Sequence, residues 1–174
     1  YIDVDIDQCF PSILAAISGD EALAAACLGD LHQVSGDLLL PRLPAERRRS
    51  LGKLFNLSVL GGVTKYGWAR HLRASGVPVK TAEADEMLTA WWGRFPAALS
   101  FRDRWRASHH AAASRKSALQ VTLPAGRRFR FSRYEVLGVA HKGGPVTSGT
   151  PESRLRSAAR TSLSSVFRGT EGLI

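Results

Sequence analysis

Prolines and glycines fall along this chain at helix-length intervals, and that punctuation limits what it can fold into more than any other feature. Pro11, Gly19, Gly29, Pro41, Pro44, Gly61-Gly62, Gly76, Pro78, Pro96, Pro124 and Gly126 interrupt otherwise alanine- and leucine-rich sequence. Proline lacks the amide that a helix interior needs, and glycine supplies the left-handed turns that close helices. The stretches between them read as helices over Ile13 to Ile17, Glu21 to Leu28, Ala45 to Leu60, Thr64 to Ala74, Ala82 to Trp92 and Ala97 to Ala113. From Ala118 to Phe131 the residues turn strand-like, with Pro124-Ala125-Gly126 as a hairpin tip, and Glu152 to Phe167 reads as a last helix. The opening differs. In Tyr1 to Asp7, Ile2, Val4 and Ile6 share one face and Tyr1, Asp3, Asp5 and Asp7 the other, the two-residue period of a half-buried strand.

The 174 residues, 44% hydrophobic and 22% charged, suit one compact domain or two small lobes. No apolar run approaches the ~20 residues a bilayer requires, so no membrane partner is expected. Cys9 and Cys27 have neither a second pair nor histidines at zinc-finger spacing, which argues against a disulfide framework and for a reducing compartment. The chain starts at Tyr1 without a methionine and stops soon after Gly169-Thr170, and so reads as a piece of something longer.

Charge is segregated. Residues 1–41 carry seven acids and no Lys or Arg; residues 42–100 carry ten bases against four acids, and residues 101–160 thirteen against three. A basic body of this kind commonly serves as a surface for phosphates or acidic membranes, whereas carboxylates gathered on a strand suit a divalent cation. A wet strand face and a drift in surface charge would give the same counts. On the helix after Pro44, Arg49, Lys53 and Leu57 fall at i, i+4 and i+8, so two cations and an apolar group line one face, with Arg47 and Arg48 adding positive field nearby. Arginine grips a phosphate as a fork and lysine as a point charge. A solvated basic helix is the alternative. Trp91, Trp92, Phe95, Phe101 and Trp105 lie at helical intervals and read as core, while His109 and His110 are adjacent rather than i, i+4 and do not suit a metal. Arg127, Arg128, Arg130 and Arg133 would form a basic ribbon able to follow a nucleic-acid backbone without reading bases.

Taken in order, several segments resemble one family. Asp5-Ile6-Asp7-Gln8-Cys9-Phe10-Pro11-Ser12-Ile13-Leu14-Ala15 followed by Ser18-Gly19-Asp20 resembles motif A of family A DNA polymerases, the DNA polymerase I type. Gly29-Asp30-Leu31-His32 is similar to that family's Gly-x-Asp-x-His segment, slightly compressed. Arg49-Ser50-Leu51-Gly52-Lys53-Leu54-Phe55-Asn56, with Gly62 and Ala69-Arg70-His71-Leu72, resembles motif B on the fingers helix. Ala82-Glu83 and Arg94-Phe95-Pro96 continue the likeness. Thr122-Leu123 with Gly126-Arg127-Arg128, then Arg160 with Gly169-Thr170, resemble the return towards the palm.

The resemblance implies a predominantly helical α+β fold, fingers plus partial palm of a right-hand polymerase. It implies three segments: a palm segment with the motif A strand (1–40), helical fingers with motif B (41–117), and a returning hairpin and helix (118–174). It also implies a template-directed DNA polymerase acting on primer-template DNA and a dNTP, with magnesium as cofactor, in the cytoplasm of a bacterial or phage-infected cell. Asp5 would be the catalytic metal ligand, with the Ile6 carbonyl as a second contact to the same ion. Arg49 and Lys53 would hold the triphosphate, Lys53 orienting the leaving group, and His32 would assist at the phosphates. Arg160, Arg127, Arg128 and Arg168 would meet DNA. Phe10 stands where the family has a Glu that excludes the ribose 2′-hydroxyl; an aromatic ring there would block the same space, as in reverse transcriptases, and a core phenylalanine is the alternative. Leu57 and Gly61 replace two aromatics of the fingers helix, Arg168 a minor-groove Gln and Ser164 an Asn. Motif C, with the second metal carboxylate, would lie beyond Ile174, so these residues alone are expected to be inactive. The alternatives are a non-catalytic nucleic-acid-binding module of polymerase shape and a reverse-transcriptase-like enzyme.

Overall fold

In a computed structural model of the chain, residues 8–115, 117–122 and 128–131 are described. The strand expected at Tyr1 to Asp7 and the helix expected at Glu152 to Phe167 lie outside them. The described residues form a predominantly helical α+β structure: α1 (Cys9–Ser18), α2 (Glu21–Leu28), α3 (Leu31–Leu39), α4 (Ala45–Leu60), α5 (Lys65–Ala74), α6 (Thr81–Arg94), α7 (Pro96–Ser114), β1 (Leu119–Thr122) and β2 (Arg128–Phe131). The chain divides into two units, Tyr1–Leu99 and Ser100–Ile174. No helix among the described residues is long and apolar enough to cross a membrane.

In the first unit, side-chain caps set the helix starts. The Asp20 carboxylate is buried; its Oδ1 accepts from the Leu23 amide at 2.9 Å, opening α2, and its Oδ2 accepts from the Ala98 amide at 2.9 Å in the first turn of α7. One residue thus satisfies amides left over at two helix N-termini. Asp30 caps α3 through the Gln33 amide, and Thr64 caps α5 through the Gly67 amide. Glu83 reaches back to the Lys80 amide at the start of α6. Gly19 closes α1 at φ 69°, a left-handed conformation that favours glycine.

The expectations for α2 and α4 match the observed spans, and α5 to α7 differ by a residue or two at their ends. The sequence pattern predicts no helix at α3. Its centre, Ser35-Gly36-Asp37, consists of residues that favour turns. Packing explains the difference, because α3 and α4 make the most extensive helix contact in this unit. A Cβ on Gly36 would overlap the Arg48 carbonyl, and one on Gly52 would overlap the His32 carbonyl. Two glycines facing opposite ways let the backbones touch, and that contact outweighs weak local propensity.

Aromatic rings fill the core behind this pair. Phe55 meets Trp68 edge-on at a centroid distance of 4.8 Å, and Trp91 meets Trp92 at 4.8 Å and Phe95 at 4.9 Å. Such edge-to-face pairs contribute roughly 0.5–1.5 kcal/mol beyond their buried area. In the second unit, β1 and β2 pair antiparallel with Leu119 opposite Phe131 and Thr122 opposite Arg128. Phe131 packs against Trp105 at 5.9 Å, and His109 is fully buried.

Candidate nucleotide-binding face on the α3–α4 pair

Helical spacing places Arg49, Lys53 and Leu57 on one face of α4 while Gly52, Phe55, Asn56 and Val59 occupy the other. The first three are exposed and the last four buried. Leu57 keeps half of its surface open to solvent. Because Gly52 rests on the His32 carbonyl, the first turn of α3 lies against the middle of α4.

Two contacts fix that end of the pair. The Arg49 Nε donates to Asp30 Oδ2 at 2.6 Å, while Asp30 Oδ1 caps α3. Partial burial pushes the Asp30 carboxyl up. The Arg49 hydrogen bond and charge, with the Gln33 and His32 amides, outweigh it and hold the group below the usual carboxylate range. Binding through Nε aligns the guanidinium and leaves its other edge directed away from Asp30. The Asn56 side-chain nitrogen on α4 lies 3.0 Å from Nδ1 of His32 on α3. His32 and Arg49 therefore belong to one helix–helix junction, and Lys53 follows Arg49 one turn along the exposed face of α4.

Gln8 splints the corner that carries Asp30. Its Nε2 donates to the Gly29 carbonyl at 2.9 Å and its Oε1 accepts from the Leu31 amide at 2.9 Å, as a paired strand would. Its backbone sits at φ 57°, the only non-glycine with positive φ among the described residues. A left-handed non-glycine costs on the order of 1–3 kcal/mol, and persists where surrounding bonds determine it. The residue three positions after Asp5 is thereby tied to the start of α3. Phe10, in the first turn of α1, is half-buried, and α1 packs against α4.

Other expected cations serve structure. Arg48 pairs with Asp37 and donates to the Leu43 carbonyl at 2.8 Å, and Arg47 donates to the Ser75 carbonyl at 2.8 Å. Arg128 is exposed on β2, in the second unit. Asp5, Ile6, Arg127, Arg160 and Arg168 lie outside the described residues. Among the described residues, no three His, Cys, Asp or Glu side chains gather as a metal site. Neither Cys9 nor Cys27 forms a disulfide; burial pushes the Cys27 thiol up, against a hydrogen bond from Ser12 that lowers it. An open cleft of about 690 Å³ lies between α5 and α6, lined by Lys65, Tyr66, Asp85 and Glu86 among others, and contains none of the candidate residues.

Nothing in the sequence gives Asp30, Asn56 or Gln8 a role beyond their places in motifs. Only Asp30 left a local signal, as a capping residue directly after glycine.

No family model matches the chain, and no curated protein does. Among solved structures, the chain is similar to the POL domain of Pol1 from M. smegmatis in complex with DNA primer-template and dNTP. The TM-score is 0.64 and the identity 22%, over 95% of this chain and 26% of that one. The chain thus has the fold of part of a DNA polymerase I POL domain and spans about a quarter of its neighbour's length.

Proposed function

We propose that this chain is the fingers and adjoining palm portion of a family A-like, template-directed DNA polymerase, and that the α3–α4 face receives the triphosphate of an incoming dNTP. The observation that carries the reading is the junction that brings His32 beside α4 and aligns Arg49 through Asp30, with Lys53 exposed one turn on. Further support comes from the fold shared with a POL domain that binds primer-template and dNTP.

In this reading Arg49 engages phosphate oxygens through the guanidinium edge that Asp30 does not occupy. Lys53, one turn on, adds a mobile point charge beside the leaving pyrophosphate. His32 contributes a hydrogen bond at the phosphates, and Phe10 stands where the sugar is checked. The basic ribbon that includes Arg128 contacts the DNA backbone. Magnesium would be held by Asp5 and the Ile6 carbonyl; when bound it supplies charge neutralisation at the reacting phosphate. The phosphate grip assigned to α3 and α4 stands on their own side chains.

The test is nucleotide binding by the chain, read as quenching of its tryptophan fluorescence on adding dNTP. Arg49→Ala and Lys53→Ala should each weaken binding at least tenfold, whereas Arg47→Ala on the same helix should leave it within twofold. Equal losses at all three positions would reduce the site to general positive charge. The second reading, a non-catalytic nucleic-acid-binding module, draws on the exposed Leu57 in place of an aromatic. Primer-template binding that is unaffected by dNTP, in a parent protein without primer extension, would favour it.

A further inference from the structure

A hydrogen-bonded chain runs through the buried side of the α3–α4 pair. The Trp91 indole Nε1 on α6 donates to Ser35 Oγ at 3.1 Å, and the Ser35 hydroxyl donates to Asn56 Oδ1 at 2.8 Å. The Asn56 Nδ2 then faces two acceptors, the Leu31 carbonyl at 3.3 Å and His32 Nδ1 at 3.0 Å. Ser35, Asn56 and Trp91 are each at most 1% exposed, so water cannot substitute for a misdirected bond.

The direction of this chain is set from both ends. An indole nitrogen can only donate, so Ser35 must accept there and has its own proton to pass on to Asn56 Oδ1. A backbone carbonyl can only accept, so the Asn56 atom facing Leu31 must be the amide nitrogen. Both constraints orient the Asn56 amide the same way and leave its remaining hydrogen facing His32 Nδ1. A proton on Nδ1 would then meet another donor hydrogen and leave that hydrogen of the buried Asn56 without its acceptor.

We infer that Asn56 is a positioning residue that holds His32 in its Nε2–H form, so that the ring offers the triphosphate a donor rather than a lone pair. The inference rests on the phosphate role proposed above for its consequence, though not for its geometry. It explains why a polar amide lies on the apolar face of α4 between Phe55 and Val59. Trp91, in this account, has two duties: its ring packs the core and its nitrogen starts the chain of donors. Neutral imidazole with its proton on Nε2 is the state that meets a phosphate oxygen there without first taking up a proton.

The test is nitrogen-15 NMR of the chain labelled on the histidine rings, at pH 8, with His32 assigned by comparison with His32→Gln. The expected spectrum shows Nε2 protonated and Nδ1 bare. A proton on Nδ1, or tautomers averaged by exchange, would overturn the inference, and this measurement requires no core variant to fold. Asn56→Asp places a carboxylate oxygen before Nδ1 and should draw the proton there. Where that variant does not fold, Asn56→Ala should give averaged tautomers; a folded variant that keeps a pure Nε2–H ring would overturn the role of Asn56. Adding inorganic tripolyphosphate should shift the Nε2–H resonance. An unresponsive ring that still shows the expected tautomer would support Asn56 as its positioning residue while removing phosphate from the function of the site.

Discussion

Both units bury polar side chains, but they treat them in opposite ways. In the first unit, Asp20, Ser35 and Asn56 are buried and each bonds to neighbours: Asp20 to two backbone amides, Ser35 and Asn56 within a chain that ends at His32. In the second, the His109 ring is fully buried and neither nitrogen finds a partner among the described residues. Leaving a buried donor or acceptor unmet costs about 1–3 kcal/mol. The difference separates a region whose polar interior specifies orientation from one whose interior would be at least as stable with an apolar residue in that place.

The sharpest way to break the contrast is to remove the helix contact that shelters the first network. Gly52→Ala drives a methyl into the His32 carbonyl, where backbone rather than a flexible side chain must yield. It should cost about 3 kcal/mol of stability, read by urea denaturation, and should weaken dNTP binding as His32 shifts. A variant with unchanged midpoint would mean that α3 and α4 separate freely.

Next in size is Asp20→Ala, which leaves the Leu23 and Ala98 amides unmet at two helix starts. About 2 kcal/mol should be lost in the same measurement, and hydrogen exchange should quicken in the first turns of both α2 and α7. Faster exchange at α2 alone would show that the bond to α7 contributes nothing.

The smallest effect sharpens the other side. Burial, then the charge of His110, pushes the His109 imidazole below its ordinary value. Over that window the unfolded chain binds more protons than the folded one, so stability is present above about pH 6.5 and declines as pH falls, by at most ~1.4 kcal/mol per pH unit. His109→Leu should abolish that share of the decline and raise stability near neutrality by about 1 kcal/mol. A variant as sensitive to acid as the unaltered chain would remove His109 from the account.

What the sequence revealed follows the range of the forces involved. Helices α2 and α4 were legible because caps, breakers and apolar spacing are local signals. Helix α3 was not, since Gly36 reads as a breaker until α4 is seen lying against it. Arg49, Lys53 and Leu57 were legible as a row because helical geometry dictates it. Their neighbours were not: Arg49 meets Asp30, Asn56 meets His32 and Gln8 meets Gly29 across about twenty residues of chain, a distance over which composition carries no register. By sequence Arg47 and Arg48 only add positive field beside Arg49, and the fold reveals that Ser75, Leu43 and Asp37 engage them.

Gln8 joins two properties that no substitute offers together. Glycine would relax its left-handed backbone but has no amide with which to clasp the corner before α3; asparagine has the amide on a stem one methylene too short. The chain entering α1 and the start of α3 are therefore coupled as a single mechanical piece, and a displacement of either must carry the other with it or break the clasp.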